Sequence, residues 1–150
     1  MTETGEMTHR RVHRASPELL FDLLTSPEHL THLRGPDGST TPVDGIVLEL
    51  RPGGRFETTM VGDADGATYT MKAGYAEVAG PERLVWIEPE VEGGMTTTIT
   101  FRDLGDGRTG VITHQTNVPA AHLSAEARAG FETSLARFEV HLASLTGEGN

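Results

Sequence analysis

Between Ser124 and Leu145 the apolar residues Ala127, Phe131, Leu135, Phe138, Leu142 and Leu145 recur at steps of three and four, the spacing of one face of an α-helix. Ser124 offers a hydroxyl N-cap, Glu126 sits in the first turn where the helix dipole favours an acid, and Gly147 follows as a stop. At about 1.5 Å per residue such a helix is roughly 33 Å long, enough to cross a small domain. Its apolar stripe cannot be buried on itself and requires a sheet. Near the other end, Thr8 to Arg14 partly alternates and predicts an edge strand. Ser16-Pro17-Glu18 and Ser26-Pro27-Glu28 each set a capping serine before a proline at the first helical position. Leucines at 19, 20, 23 and 24 with Phe21 fill the first of these helices; Leu30 and Leu33 continue the second until Gly35 and Pro36 stop it.

The middle of the chain is patterned for strands. Asp37 to Thr41 is turn-forming, and six extended segments follow: Val43 to Leu50, Arg55 to Val61, Thr68 to Val78, Leu84 to Glu88, Thr96 to Phe101 and Val111 to Thr116. Arg51-Pro52-Gly53-Gly54 suits a tight turn in which proline fixes the first central φ and glycine takes the positive φ of the second. Short connections between consecutive strands imply an antiparallel meander, because a parallel crossover needs about a dozen residues. The expected architecture is α+β: a seven-stranded curved antiparallel sheet, two short helices after strand 1, and a long C-terminal helix laid over the sheet. One domain over residues 1–150 is expected, with 1–7 a flexible tail.

Composition narrows the chemistry more than the fold. A net charge of −10, from 22 acids against 12 Lys and Arg, argues against nucleic acid as a partner, since phosphate binding needs a clustered basic face. Arg10, Arg11 and Arg14 are the dense cationic group and read as the solvated face of an edge strand. With no cysteine there is no disulfide framework, thiolate metal site or thiol nucleophile. No apolar run approaches membrane-spanning length and Met1 to Thr8 is unlike a secretory signal, so membrane insertion is not expected and a cytoplasmic protein is.

The elements and their turns resemble a known family. Arg11, then Ala15, Ser16, Pro17, Glu18 and Phe21, then Leu24, Thr25, Ser26, Pro27 and Glu28 are similar to the opening of bacterial START/Bet v 1-like (SRPBCC) proteins. Within that superfamily they resemble the family named after the activator of the 90-kDa heat-shock chaperone's ATPase. Arg34 to Gly38, Arg51 to Phe56 and Gly80 to Leu84 resemble its loop after the second helix, its most recognisable turn and the reversal before its fifth strand. Gly130 and Phe131 stand where its last helix usually carries Gly-Trp, and Leu33 stands for another tryptophan. The resemblance spans roughly residues 8 to 145 and implies a helix-grip fold with an apolar cavity between sheet and C-terminal helix. For function it implies only a range, from carriers of hydrophobic molecules through polyketide cyclases to chaperone cofactors.

The candidate lining follows from strand alternation and helix phase. Tyr69, Met71, Ala73 and Tyr75 share one face; Phe56 with Met60, and Trp86 with Leu84, form others. Together with Leu33, His114, Phe131, Ser134, Leu135 and Phe138 they would surround a ligand with an apolar body and one or two polar handles. His114 lies in period two with Ile112 and is expected to face the helix. His141 and Ser134 lie about 60° and 40° from Phe138 around the helix, at the flank of its buried face. A small hydrophobic or aromatic ligand is the expected partner. An alternative is a cyclase, dehydratase or aromatase using His114, His141, Tyr69 or Tyr75, although no complete catalytic set can be named. Another is a chaperone-cofactor module, with Val140 opposite the buried stripe, and a homodimer stays open. His29 and His32 could share a helical face, yet no carboxylate at a familiar spacing completes a metal site, and neither metal nor cofactor is expected. Asp63, Asp65 and Gly66 read as a solvated turn rather than a calcium loop.

Overall fold

The computed structural model describes residues 4–33, 38–89, 94–119 and 125–146. In chain order the elements are β1 (Thr4–His13), α1 (Pro17–Thr25), α2 (Pro27–Leu33), β2 (Ser39–Thr40), a 3₁₀ turn (Val43–Gly45), β3 (Ile46–Leu48), β4 (Arg55–Gly62), β5 (Thr68–Ala79), β6 (Arg83–Glu88), β7 (Met95–Gly105), β8 (Arg108–Pro119) and α3 (Ala125–Thr146). The strands make one antiparallel sheet in the order β1-β8-β7-β6-β5-β4-β2, with β3 also paired to β4. The chain is thus the expected α+β helix-grip fold, with eight strands rather than seven because Ser39 and Thr40 pair with Gly62 and Val61.

Local chemistry explains the short helices. The Ser16 hydroxyl accepts from the Leu19 N–H at 3.1 Å, Pro17 opens α1, and Leu20 and Leu23 are fully buried. α1 packs on β7 through Phe21, whose ring meets Phe101 edge-on at 5.9 Å. The Arg51–Gly54 turn forms as its residue types require: Gly53 takes φ +83 and the Gly54 N–H donates to the Arg51 carbonyl at 2.8 Å.

Three boundaries differ from expectation, each for a physical reason. β1 begins at Thr4, so residues 4–7 are paired strand and not tail; Met7 is buried in a small cluster with Met95 and Val118. Val43 to Gly45 is a 3₁₀ turn, closed by the Gly45 N–H on the Pro42 carbonyl at 2.9 Å, and β3 starts only at Ile46. β7 runs past the expected end at Phe101, and β8 begins before the expected start at Val111, because Gly105, Asp106 and Gly107 all take positive φ and close a tight hairpin between them.

The long helix α3 lies over the sheet and is tied at both edges. The Arg11 guanidinium on β1 meets the Glu132 carboxylate at 2.7 Å, and Arg137 donates to the Ser39 carbonyl on β2 at 2.9 Å. Phe138 and Leu142 are buried, Leu135 is half-buried, and Leu145 is exposed at the helix end. Val140 is 72% exposed on the opposite side. Ser124 and Gly147, the expected cap and stop, and the side chains of Ala127 and Phe131 lie outside the described residues.

Candidate functional site

The inner face of the sheet is set by burial that alternates with the pleat. On β4 and β5 it carries Phe56 opposite Ala73 and Thr58 opposite Met71, all buried. On β6 it carries Leu84 and Trp86, on β7 Thr97, Ile99 and Phe101. Three rings form its centre: Phe56 stacks on Tyr75 at 5.4 Å and meets Trp86 edge-on at 5.0 Å. Trp86 and Tyr75 are also direct cross-strand partners.

Of the residues expected to line a ligand space, Phe56, Met71, Tyr75, Trp86 and Phe138 are buried toward the core, and Met60, Ser134 and Leu135 are half-buried. The side chains of Leu33 and Phe131 lie outside the described residues. Tyr69 follows the predicted alternation and pairs with Met60, but at 53% exposed it stands beyond the covered part of the sheet. His114 is on the other face: its Nδ1 is 2.8 Å from the Thr8 hydroxyl and its Nε2 3.1 Å from the Glu6 carboxylate. The reason lies in β8 itself. Val111 and Ile112 are both apolar, so alternation alone admits two phases; Thr109 and Val111 are the buried pair, and His114 goes outward with Ile112.

The polar part of the interior comes from residues outside the expected set. On β1 the inward positions are Met7, His9, Arg11 and His13, while Glu6, Thr8, Arg10 and Val12 face out and are exposed. Arg11 is therefore not a solvated edge residue like Arg10. His13 is buried, with its ring 5.0 Å from that of Phe138. Across β8, His9 lies opposite Thr113 and Met7 opposite Gln115, and Gln115 donates to the buried Thr97 hydroxyl at 3.1 Å. The alternation of Met7, His9, Arg11 and His13 was the available signal, masked by the usual meaning of polar residues on an edge strand.

A second cluster joins the helices. His29 Nδ1 and His141 Nε2 are 3.0 Å apart, His32 stacks on His141 at 4.9 Å, and Asp22 on α1 approaches His29 Nε2 at 3.4 Å. His29 and His32 do share a face, and it packs on α3. Among the described residues no group of three or more His, Cys, Asp or Glu is arranged to hold a metal ion.

Burial pulls three imidazoles below the ordinary histidine value. At His141 burial acts with the charges of His32 and His29. At His13 it acts with Arg11 and against Glu139, and at His9 it is opposed by Glu132 and reinforced by Arg11 and Arg128. These groups bind protons less readily folded than unfolded, so the unfolded chain takes up more protons as the pH falls below 6.5. Their contribution to stability is complete above that value and is lost as the pH drops toward the lowered folded values. The urea midpoint is expected to be lower at about pH 5.5 than at about pH 7.5, with His141→Gln removing part of the fall. A midpoint level across that range would contradict the burial of these rings.

A cleft of about 480 Å³ opens at the start of α1, lined by Pro17, Pro81 to Arg83 and Thr100 to Asp103. Both signs of charge line it, from Glu82 and Asp103 and from Arg83 and Arg102.

A family model described as activator of Hsp90 ATPase homolog 1-like protein matches residues 14–143. The chain belongs to this family. Similar solved structures include a protein from Rhodobacter sphaeroides, with TM-score 0.83 and 22% identity over 97% of both chains. Another is the AHSA1 protein from Silicibacter pomeroyi, with TM-score 0.75 and 19% identity over 92% of this chain and 97% of that one. An HSP90 activator from Plasmodium falciparum matches at TM-score 0.64 and 18% identity over 97% of this chain and 98% of that one. At these identities the likeness establishes the fold alone. No curated protein matches the chain. Membership bears out the resemblance carried by the Ser-Pro-Glu helix starts and the Arg51–Phe56 turn. No helix among the described residues of this Hsp90-activator-like chain is long and apolar enough to cross a membrane.

Proposed function

We propose that this member of the activator of Hsp90 ATPase homolog 1-like family binds a small hydrophobic or aromatic molecule between the inner face of the sheet and α3. The observation that carries this reading is incomplete burial on α3 and on the inner face of β8. Ser134 and Leu135, one turn before the buried Phe138 on α3, and Thr113 and Gln115 on the inner face of β8 are all only partly buried. Phe138, Val111 and Ile99 around them are buried. A helix packed closely on a sheet buries the residues along its contact more fully than this. The Phe56, Tyr75 and Trp86 rings supply an aromatic wall, and Thr97 and Gln115 supply polar handles.

The neutral dye phenylnaphthylamine is expected to bind saturably with a fluorescence rise, and native mass spectrometry to show one bound molecule per chain. Ser134→Trp, which adds bulk from the helix side, is expected to abolish binding in a protein whose far-ultraviolet circular dichroism is unchanged. Absence of saturable binding, or binding indifferent to Ser134→Trp, would overturn the reading.

The cyclase reading rested on His114, His141, Tyr69 or Tyr75 converging; His114 lies on the outer face and Tyr69 is exposed, which takes two of the four away from an interior substrate. The chaperone-cofactor reading has behind it only the family description and one exposed valine, Val140, which is ordinary for a surface.

A further inference from the structure

We propose that the ligand of this interior is an acid: a compact apolar or aromatic body carrying one carboxylate, with Arg11 as the residue that selects the head group. The inference rests on the binding reading above and names the chemistry of its ligand. Inward positions of a sheet that only packs against a helix are expected to be apolar, since burying a charge costs several kcal/mol unless it is matched. β1 breaks that rule in one place and on one face, with His9, Arg11 and His13 at successive inward positions.

The three groups differ in how they bear burial. The two imidazoles can shed their protons and remain as neutral hydrogen-bonding rings. The guanidinium cannot; besides the Arg10 carbonyl, to which Arg11 donates at 3.0 Å, an anion is the partner that suits it best where it leaves water. Here that anion is Glu132 from α3, at 2.7 Å. The two partners are not equally held: the Arg11 side chain is 35% exposed, that of Glu132 55%. Glu132 therefore reaches Arg11 from the rim and can turn out to water at little cost, whereas Arg11 stays at the edge of the interior. A ligand carboxylate arriving from inside would take the same position on the guanidinium, and Glu132 is its built-in competitor.

The grading of the sheet fixes which way such a molecule lies. From Arg11, opposite Val111 on β8, the inner face passes through Thr113 and Gln115 farther along that strand and across Thr97 on β7 to the aromatic wall at Trp86 on β6. A carboxylate at the β1 end points the apolar body along the sheet toward those rings. A long-range field cannot be what attracts an acid, because the chain carries a net charge of −10; recognition has to be by contact.

The test uses naphthoic acid and its methyl ester, two ligands of nearly one shape, titrated against the fluorescence of Trp86, the single tryptophan. The acid is expected to bind at least about tenfold more tightly than the ester at pH 7. Arg11→Met is expected to erase that preference while leaving ester affinity in place, Arg11→Lys to keep most of it, and Glu132→Gln to tighten the acid alone. Equal affinity for acid and ester in the native chain, or Arg11→Met weakening both alike, would overturn the proposal and leave Arg11 as a tie between β1 and α3. Failure of both ligands to bind would remove the binding reading, and this proposal with it; ester binding without acid preference removes only the proposal.

Discussion

Gly54→Ala is expected to destabilise the protein by more than about 4 kcal/mol, while Gly53→Ala one residue earlier costs about 1 kcal/mol. The two glycines are needed for different reasons. Gly53 sits at φ +83 in open space, so an added methyl meets only the strain of the left-handed region. Gly54 lies against the backbone where β3 ends: a Cβ there would collide with the Glu49 carbonyl oxygen and stand 2.9 Å from its carbon. Neither atom is the end of a flexible side chain. Relief requires the strands to part, and the Gly54 carbonyl is held by the Tyr75 N–H at 2.9 Å while the Gly53 N–H donates to the Tyr75 carbonyl at 2.8 Å. Parting the turn therefore pulls on Tyr75, whose ring stacks on Phe56 in the middle of the sheet. Urea unfolding of the two variants decides the matter. Equal midpoints would mean that the turn relaxes without disturbing the sheet.

How much of this was legible in the sequence divides along the range of the forces involved. The Ser16 cap, the Pro17 helix start and the Gly53 turn were readable because each is settled within four residues. Antiparallel order followed from short loops, which allow little else, whereas the two-residue strand Ser39–Thr40 carries no apolar pattern to announce it. Sheet face was readable only where apolar and polar residues strictly alternate. Thr68 to Tyr75 met that condition, and Met71, Ala73 and Tyr75 are buried together. β8 did not, because Val111 and Ile112 are adjacent, and His114 was assigned to the wrong face. Tyr69 shows a further limit: alternation gives direction but not depth, and how far the helical layer covers the sheet is a property of the fold.

The candidate site itself was the least legible part. His13 is buried, and His9 and Arg11 are partly covered, beneath a helix whose contact with Arg11 comes 121 residues later in the chain. His29 and His32 acquire their partners from Asp22 and from His141, which lie on two other helices. Polar residues normally mark solvent, and only the tertiary arrangement shows that these mark an interior. That inversion is itself informative, because inward polar groups cost stability and persist where a fold has a use for them.

Phe138→Ala should cost about 3 to 5 kcal/mol, the usual range for removing a buried aromatic ring. Phe138 is 9% exposed at the centre of α3, in one cluster with Leu142 and the Phe56, Tyr75 and Trp86 rings. It also carries a signature beyond stability. Its ring lies 5.0 Å from that of His13, and burial is the largest cause of the lowered proton affinity there. Truncation admits water beside the imidazole, so the His13 titration followed by NMR is expected to move up toward 6.5. The two readouts separate two ways of being wrong. A loss below about 0.5 kcal/mol would place Phe138 at the surface and α3 in another rotation. A full loss with an unmoved His13 would keep the helix where it is and show that burial by Phe138 is not what lowers the proton affinity of the imidazole. In that case Arg11→Met would shift the titration instead, because the guanidinium is the nearest fixed charge on the same strand face.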